Sequence, residues 1–201
     1  MQFNYEIRGL NMWTWMFKYR GLLFIPLAML VIIFGKPTFV SFFVGLILVC
    51  SGELLRCWGV GYSGITTRDN KIIAPFLVTA GPYAYIRNPL YLGNIITALG
   101  FAVMACGGFT SEFGLTFIVG VFLFYYLVYD RIIKLEEDYL IKTFSEDYKI
   151  YLQSVPRLFP YKPALSPKQG KFKMEVIWKA EIHTIGLLIL VLVIFAWKTF
   201  H

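Results

Sequence analysis

Charge is what this chain has least of. Only 15% of its 201 residues are Asp, Glu, Lys or Arg, too few to clothe an ordinary soluble domain. Histidine is scarcer still, with His183 and His201 alone, and the three cysteines, Cys50, Cys57 and Cys106, fall in apolar stretches at irregular spacing. A zinc or di-iron centre needs three or more clustered ligands, so no metal is expected and the cysteines read as small hydrophobes, not disulfides or ligands. There is no internal repeat, low-complexity tract or nucleic-acid motif.

Apolar residues take the place of charge: 58% of the chain is hydrophobic and 18% aromatic. That composition predicts an all-α, polytopic integral membrane protein. Apolar runs at 21–35, 39–60, 90–108, 113–133 and 184–199 approach the ~20 residues a bilayer span needs, which predicts about five transmembrane helices. The first and last runs are the shortest, so one of them could be half-inserted and lean on Lys18, Arg20 or Lys198. Residues 22–34 follow basic residues as a signal peptide would, but they run into Gly35-Lys36-Pro37 with no small-x-small cleavage site, so a retained span is expected.

With the N-terminus in the cytoplasm, all but Lys36 and Lys198 of the 19 basic residues fall on the inner side, a strong positive-inside bias. The loop at 109–112 carries Glu112 and no base. The formal charge of +7 then sits at the cytoplasmic leaflet, where it favours anionic headgroups; no nucleic-acid partner is expected.

The chain reads as one unit, 1–201. Two helical hairpins are expected, the first turning at Gly35-Lys36-Pro37-Thr38. Between them lies a cytoplasmic segment, 61–89, that opens GYSGITTRDNK and ends GPYAYIRNP. Pro89 biases Asn88 away from helix and can begin the third span. The fourth span should run on past the membrane as DRIIKLEEDYLIKTF, with Asp130–Lys134 and Lys134–Asp138 at i,i+4 spacing, and Ser145–Tyr151 should add further helical turns. Val155-Pro156-Arg157-Leu158-Phe159-Pro160 stops the helix, and polar residues 161–175 link to the last span.

Ionisable groups at membrane depth are functional candidates by default. Taken singly, each also has a plainer role. Glu53 and Arg56 can neutralise each other at i,i+3, Arg87 can anchor a headgroup, Glu136 and Glu137 can be a solvated helix face, and Tyr83, Tyr85 and Tyr91 can form an interfacial belt.

Their order along the chain is more specific. The run LVTAGPYAYIRNPLYLG, a span hairpin, then EEDYLIKTFSEDYKIYLQSVPR resembles the isoprenylcysteine carboxyl methyltransferase-like group of membrane methyltransferases, which also includes phospholipid N-methyltransferases. The resemblance covers roughly 56–160. It implies a cytoplasmic cofactor-binding loop before span three, an extended fourth helix, and S-adenosyl-L-methionine as methyl donor. It also implies that Leu77, Val78, Tyr83, Asn88, Pro89, Leu90, Tyr91, Glu136 and Glu137 bind that cofactor. A carboxylate for its ammonium, aromatic faces for its cation and adenine, and backbone amides for its carboxylate fit the donor's chemistry.

Two departures bear on the acceptor. The family's Arg-His-Pro is Arg87-Asn88-Pro89 here, and an asparagine can hydrogen-bond but cannot shuttle a proton near neutral pH. Isoprenylcysteine enzymes carry a substrate-binding arginine four residues before the cofactor glutamate, where this chain has Ile132. Arg131 is adjacent, but one residue turns a helix by ~100°. The implied function is therefore methyl transfer to a lipophilic or lipid-linked acceptor entering from the bilayer, with Arg87, Arg131 and Arg157 as candidate headgroup anchors. A phospholipid or other amine is the rival acceptor. A nicotinamide-binding membrane reductase of related fold, or a noncatalytic scaffold or transporter, are the alternatives from other classes.

Overall fold

The computed structural model describes residues 20–64, 76–166 and 169–201. They form α1 (Arg20–Leu23), α2 (Ile25–Phe34), α3 (Phe39–Ser63), a 3₁₀ turn (Gly81–Ala84), α4 (Pro89–Cys106), α5 (Ser111–Ser154) and α6 (Met174–Phe200). Helices α3 to α6 are each long and apolar enough to cross a bilayer. Their outer faces are apolar, with Leu54 71% and Leu115 65% exposed, as lipid-facing side chains are.

Among the described residues four helices are long enough to span, so the expected count of five is not confirmed. The chain breaks at Phe24, next to Pro26 in the first turn of α2, and the 14 residues of Gly21–Phe34 rise only ~21 Å against a ~30 Å hydrocarbon core. The last span, read as short, is 27 residues long, because Met174–His183 continues the helix below the apolar run. The short helix α2 is instead tied to α6. Lys198 Nζ donates to the carbonyl oxygens of Ile32 (2.7 Å), Ile33 (3.0 Å) and Gly35 (3.0 Å), so it caps the end of α2. A cation there satisfies orphan carbonyls and favours the helix dipole. Lys198→Met is expected to cost about 1–2 kcal/mol, read as a lowered melting point in detergent.

Helices α3 and α4 meet backbone to backbone. Gly45, Gly52 and Gly59 recur every seventh residue on α3, and Gly93, Gly100 and Gly107 do the same from α4 into its C-cap. A Cβ on Gly52 would lie 2.6 Å from the Gly93 carbonyl oxygen, and one on Gly100 would lie 2.8 Å from that of Gly45. Small residues let membrane helices approach this closely, and a strict seven-residue period keeps the seam in register for a left-handed crossing. Gly52→Val is expected to destabilise the fold by about 1–3 kcal/mol or more by overpacking. Thermal unfolding of the variant checks this. Thr38 caps α3 through a reciprocal pair with Ser41, and Lys36 N–H donates to Ala105 O (2.8 Å), which joins the turn to the far end of α4.

Helix α5 runs 44 residues, far longer than a bilayer, so its second half projects beyond the membrane as the sequence predicts. Its break falls on Ser145, whose φ of 47° is left-handed backbone that a serine seldom adopts; the expected helix therefore begins one residue later and folds back. Of the cysteines read as core hydrophobes, Cys106 is buried but Cys50 faces outward.

Candidate functional site

Gly81 starts the turn that shapes the polar loop. Its φ of 62° and the Tyr62 ring pressed against it admit only glycine, and the 3₁₀ turn that follows turns the chain toward α4. The loop is then fastened to α5 at several points. Tyr151 donates its hydroxyl to Tyr83 O (2.7 Å), Arg87 N–H donates to Pro156 O (2.9 Å), and Asn88 Nδ2 donates to Arg157 O (3.1 Å). Leu77 packs beside buried Tyr148, Tyr151 and Val155.

An alternating chain of charges lies beneath. Arg87 holds Glu137 Oε1 through Nε (3.0 Å) and Nη2 (2.9 Å), while its Nη1 donates to the carbonyls of Leu152 (3.1 Å) and Val155 (2.5 Å). Arg157 pairs with Asp130 (2.5 Å) and approaches Glu137 (3.4 Å), and Lys134 closes the row on Asp130 (2.8 Å). Arg87 and Arg157, candidate headgroup anchors from sequence, are thus engaged with carboxylates inside the protein, as is Glu137. Arg131 lies on an exposed face of α5, and Ile132 is 1% exposed in the core.

Glu136 has a different environment from its neighbour. Its Oε1 accepts a 2.6 Å hydrogen bond from Tyr91 OH, which brings α5 to the first turn of α4. Tyr83 shares this space. Burial pushes the Tyr83 phenol well above its ordinary range, a hydrogen bond with Ser63 pulls it back, and the Glu136 carboxylate pushes it further up. Tyr83 therefore stays a neutral donor and an aromatic face. Of the other implied cofactor residues, Pro89 is buried at the start of α4, Leu90 packs on Gly59, and Val78 lies under Gly170.

Three features escaped the sequence reading. The first is a strap in the segment read as a plain linker: Thr79 and Ala80 N–H both donate to Gln169 O (2.9 Å each), Gln169 N–H donates to Thr79 Oγ1 (2.9 Å), and Lys173 N–H donates to Gly61 O (2.8 Å). The strap crosses the loop and the end of α3. Residues 65–71 of GYSGITTRDNK lie outside the described residues.

The second is a cavity of about 380 Å³ within the bundle. One end is walled by Leu27, Val31, Phe101, Leu188 and Val191, and Glu53, Arg56, Asn94, Tyr91, Tyr125 and Tyr129 also line it. Such a cavity, mostly apolar with a few converging polar groups, suits a small ligand. The third is the buried Glu181 on α6, 1% exposed, which turns the expected Glu53–Arg56 pair into a network. Arg56 meets Glu53 at 3.2 Å and Glu181 at 2.7 Å, and it donates to Asn94, whose amide donates to Tyr129 OH (3.0 Å). The Glu53–Arg56 spacing was visible in sequence; the third partner comes from 125 residues away. Tyr91 belongs to both places, with its hydroxyl on Glu136 and its ring on the cavity wall, 4.7 Å from that of Tyr129.

Residues 44–142 match the model of the isoprenylcysteine carboxyl methyltransferase family. The chain is 32% identical over 121 residues to protein-S-isoprenylcysteine O-methyltransferase of Schizosaccharomyces pombe, covering 57% of this chain and 48% of the relative. Against the Homo sapiens protein of the same name the identity is 32% over 121 residues, covering 58% and 40%. The cobalt-zinc-cadmium resistance protein CzcN of Cupriavidus metallidurans is 31% identical over 117 residues, covering 58% and 48%. The match thus spans about half or less of the length of these relatives. It contains the glycine seam, α4 and α5 as far as Glu136 and Glu137, and over that region the chain is similar to the isoprenylcysteine carboxyl methyltransferases.

Proposed function

We propose that the chain is an S-adenosyl-L-methionine-dependent methyltransferase of the membrane, acting at the cytoplasmic face on a lipophilic or lipid-linked acceptor. The observation that carries this reading is Tyr91, which joins a half-buried carboxylate on one side to an apolar intramembrane cavity on the other. A methyl donor and a lipid acceptor need such an arrangement, with a polar cofactor site touching an apolar one. The basic residues of the loop and of α5, which all fall on one side of the spans, support the cytoplasmic assignment. The names of the relatives, protein-S-isoprenylcysteine O-methyltransferase, support both the reaction class and a lipidated acceptor.

The residues present fit the donor. Glu136 would hold its ammonium, the faces of Tyr83 and Tyr91 would lie against its cationic and adenine parts, and the loop from Leu77 to Asn88 would supply backbone amides. Bound there, the donor supplies an activated methyl group whose positive charge disappears on transfer, which a dry, low-dielectric site favours. The protein's own part is positioning and exclusion of water. Arg87 and Arg157 fix Glu137 and so the register of α5 at Glu136, the strap at Gln169 closes over Thr79 and Ala80, and the ring of Tyr91 forms the wall between donor and acceptor. With Asn88 in place of histidine, the loop offers no imidazole base.

Calorimetric titration of the detergent-purified chain with S-adenosylhomocysteine tests the reading. Micromolar binding is expected. Folded protein that binds neither S-adenosylhomocysteine nor S-adenosyl-L-methionine would overturn it.

A further inference from the structure

We propose that the intramembrane cavity takes one apolar chain of the methyl acceptor end-on, and that Phe101 sets the longest chain it accepts. The proposal deepens the methyltransferase reading and rests on it for the acceptor's role. Length, volume and the build of the far end carry it.

The lining residues on α4 run from Tyr91 in its first turn to Phe101, a rise of ~15 Å. That is half of a ~30 Å hydrocarbon core, the depth of one leaflet. The cavity is therefore a slot along the bundle, with Tyr91 and Tyr129 at the loop end and Val31, Phe101 and Val191 at the other. A fully extended backbone advances ~3.5 Å over three bonds, so an extended chain covers ~15 Å in about twelve bonds. Volume gives an independent figure. Apolar protein cavities hold one ligand carbon in about 25 Å³, and the 380 Å³ here then hold about fifteen. The two figures agree only if the chain lies in single file. Two small residues, Ala28 and Ala98, line the slot between its ends. Two chains side by side would need twice the volume, so a two-tailed lipid cannot bury both.

The far end is built not to yield. Phe101 has Phe195 behind it, with ring centroids 6.0 Å apart, and Phe195 and Met104 have no exposed surface. At the same end α2 meets α4 so closely that a Cβ on Gly35 would lie 3.0 Å from that of Ala105. Lys36 N–H, on Ala105 O, and Lys198, on the last carbonyls of α2, fasten this corner. A chain that reaches a wall packed at interior density cannot push it back cheaply.

Inside a bilayer an apolar chain gains nothing from the hydrophobic effect by leaving lipid for protein, and contact with the walls is what selects it. Chain length is therefore what the slot reads. A chain that is too short leaves the end wall without contacts. One that is too long carries its head past Tyr91 and out of register with Glu136.

Photolabelling of the full chain in phosphatidylcholine nanodiscs tests the proposal, with octanol, dodecanol and octadecanol each carrying a diazirine at the chain end. Peptide mapping reads where each chain end stops. The dodecyl probe is expected to label Phe101, Val31 or Val191, and the octyl probe to stop short of them. The octadecyl probe should place roughly tenfold less label in the slot, the scale of an overpacked core. Phe101→Ala removes the phenyl ring, which on the same volume scale makes room for about six more carbons, and should admit the octadecyl probe. Ala98→Phe should exclude the dodecyl probe and keep the octyl one. Equal slot labelling by dodecyl and octadecyl probes in wild type, or label confined to lipid-facing residues such as Leu54 and Leu115, would overturn the proposal. Retained S-adenosylhomocysteine binding in that case leaves the methyltransferase reading intact. Slot labelling by a chain that binds no S-adenosylhomocysteine would remove the acceptor role, and the proposal with it. The wild-type length series decides by itself, so misfolding of Phe101→Ala does not spoil the test.

Discussion

Glu136→Ala is expected to lower S-adenosylhomocysteine affinity by roughly a hundredfold or more. Removing one side of a half-buried, hydrogen-bonded charge pair typically costs about 2–5 kcal/mol, and about 1.4 kcal/mol is a factor of ten. The carboxylate is positioned by Tyr91 OH at 2.6 Å, so Tyr91→Phe should retain binding and lose about tenfold or less, the worth of one hydrogen bond. Glu136→Gln keeps the shape and removes the charge. If the ammonium of the donor is its partner, this variant should resemble alanine more than wild type. Calorimetry on the three variants, with helical content as a check on folding, separates charge from packing. Undiminished affinity in Glu136→Ala would remove Glu136 from the cofactor site.

Arg87→Ala is expected to act first on stability, by about 3–5 kcal/mol, with loss of cofactor binding following from it. Its guanidinium is 11% exposed and has partners on both sides of the Ser145 break: Glu137 before it, and the carbonyls of Leu152 and Val155 after it. Without it, Glu137 keeps only the longer contact to Arg157, and two carbonyls at the end of α5 lose a donor. Arg87→Lys restores the charge but not the forked geometry and should recover part of the loss. In a double-mutant cycle, Arg87→Gln with Glu137→Gln should cost less than the sum of the single changes, since the two groups are in contact. Arg131→Ala offers the contrast. It is exposed, so the stability of the variant should stay within about 0.5 kcal/mol of wild type, and any loss of methyl transfer would then report anchoring of the acceptor.

Much of this was legible along the chain. The helices at 39–60, 90–108 and 113–133 emerged close to their apolar runs, because a segment that spans hydrocarbon must satisfy its own backbone and be apolar outside. Pro89 began α4 and the carboxylates after Asp130 stayed helical, as local rules require. The glycines of the seam stand at intervals of seven but were not read as a seam, because their meaning depends on two helices being neighbours. The shortfall of the first run was less visible, since Pro26 within an apolar stretch can bend a long helix or divide it.

By itself, then, the sequence determined the solvent this protein lives in, the helical class, the side on which its charges gather, and the residues that form the loop. Those properties are local sums of hydropathy, charge and backbone preference. Only the tertiary structure decided which partners each carboxylate meets. Glu136 and Glu137 are adjacent and chemically identical, but one turns to Tyr91 and the other to Arg87 and Arg157 because one residue on a helix is ~100° of rotation. Glu181 joined Arg56 across 125 residues, and Phe24, Tyr125 and Tyr129 met Tyr91 across a cavity. Such partners are chosen by packing in three dimensions, and spacing along the chain carries no record of it.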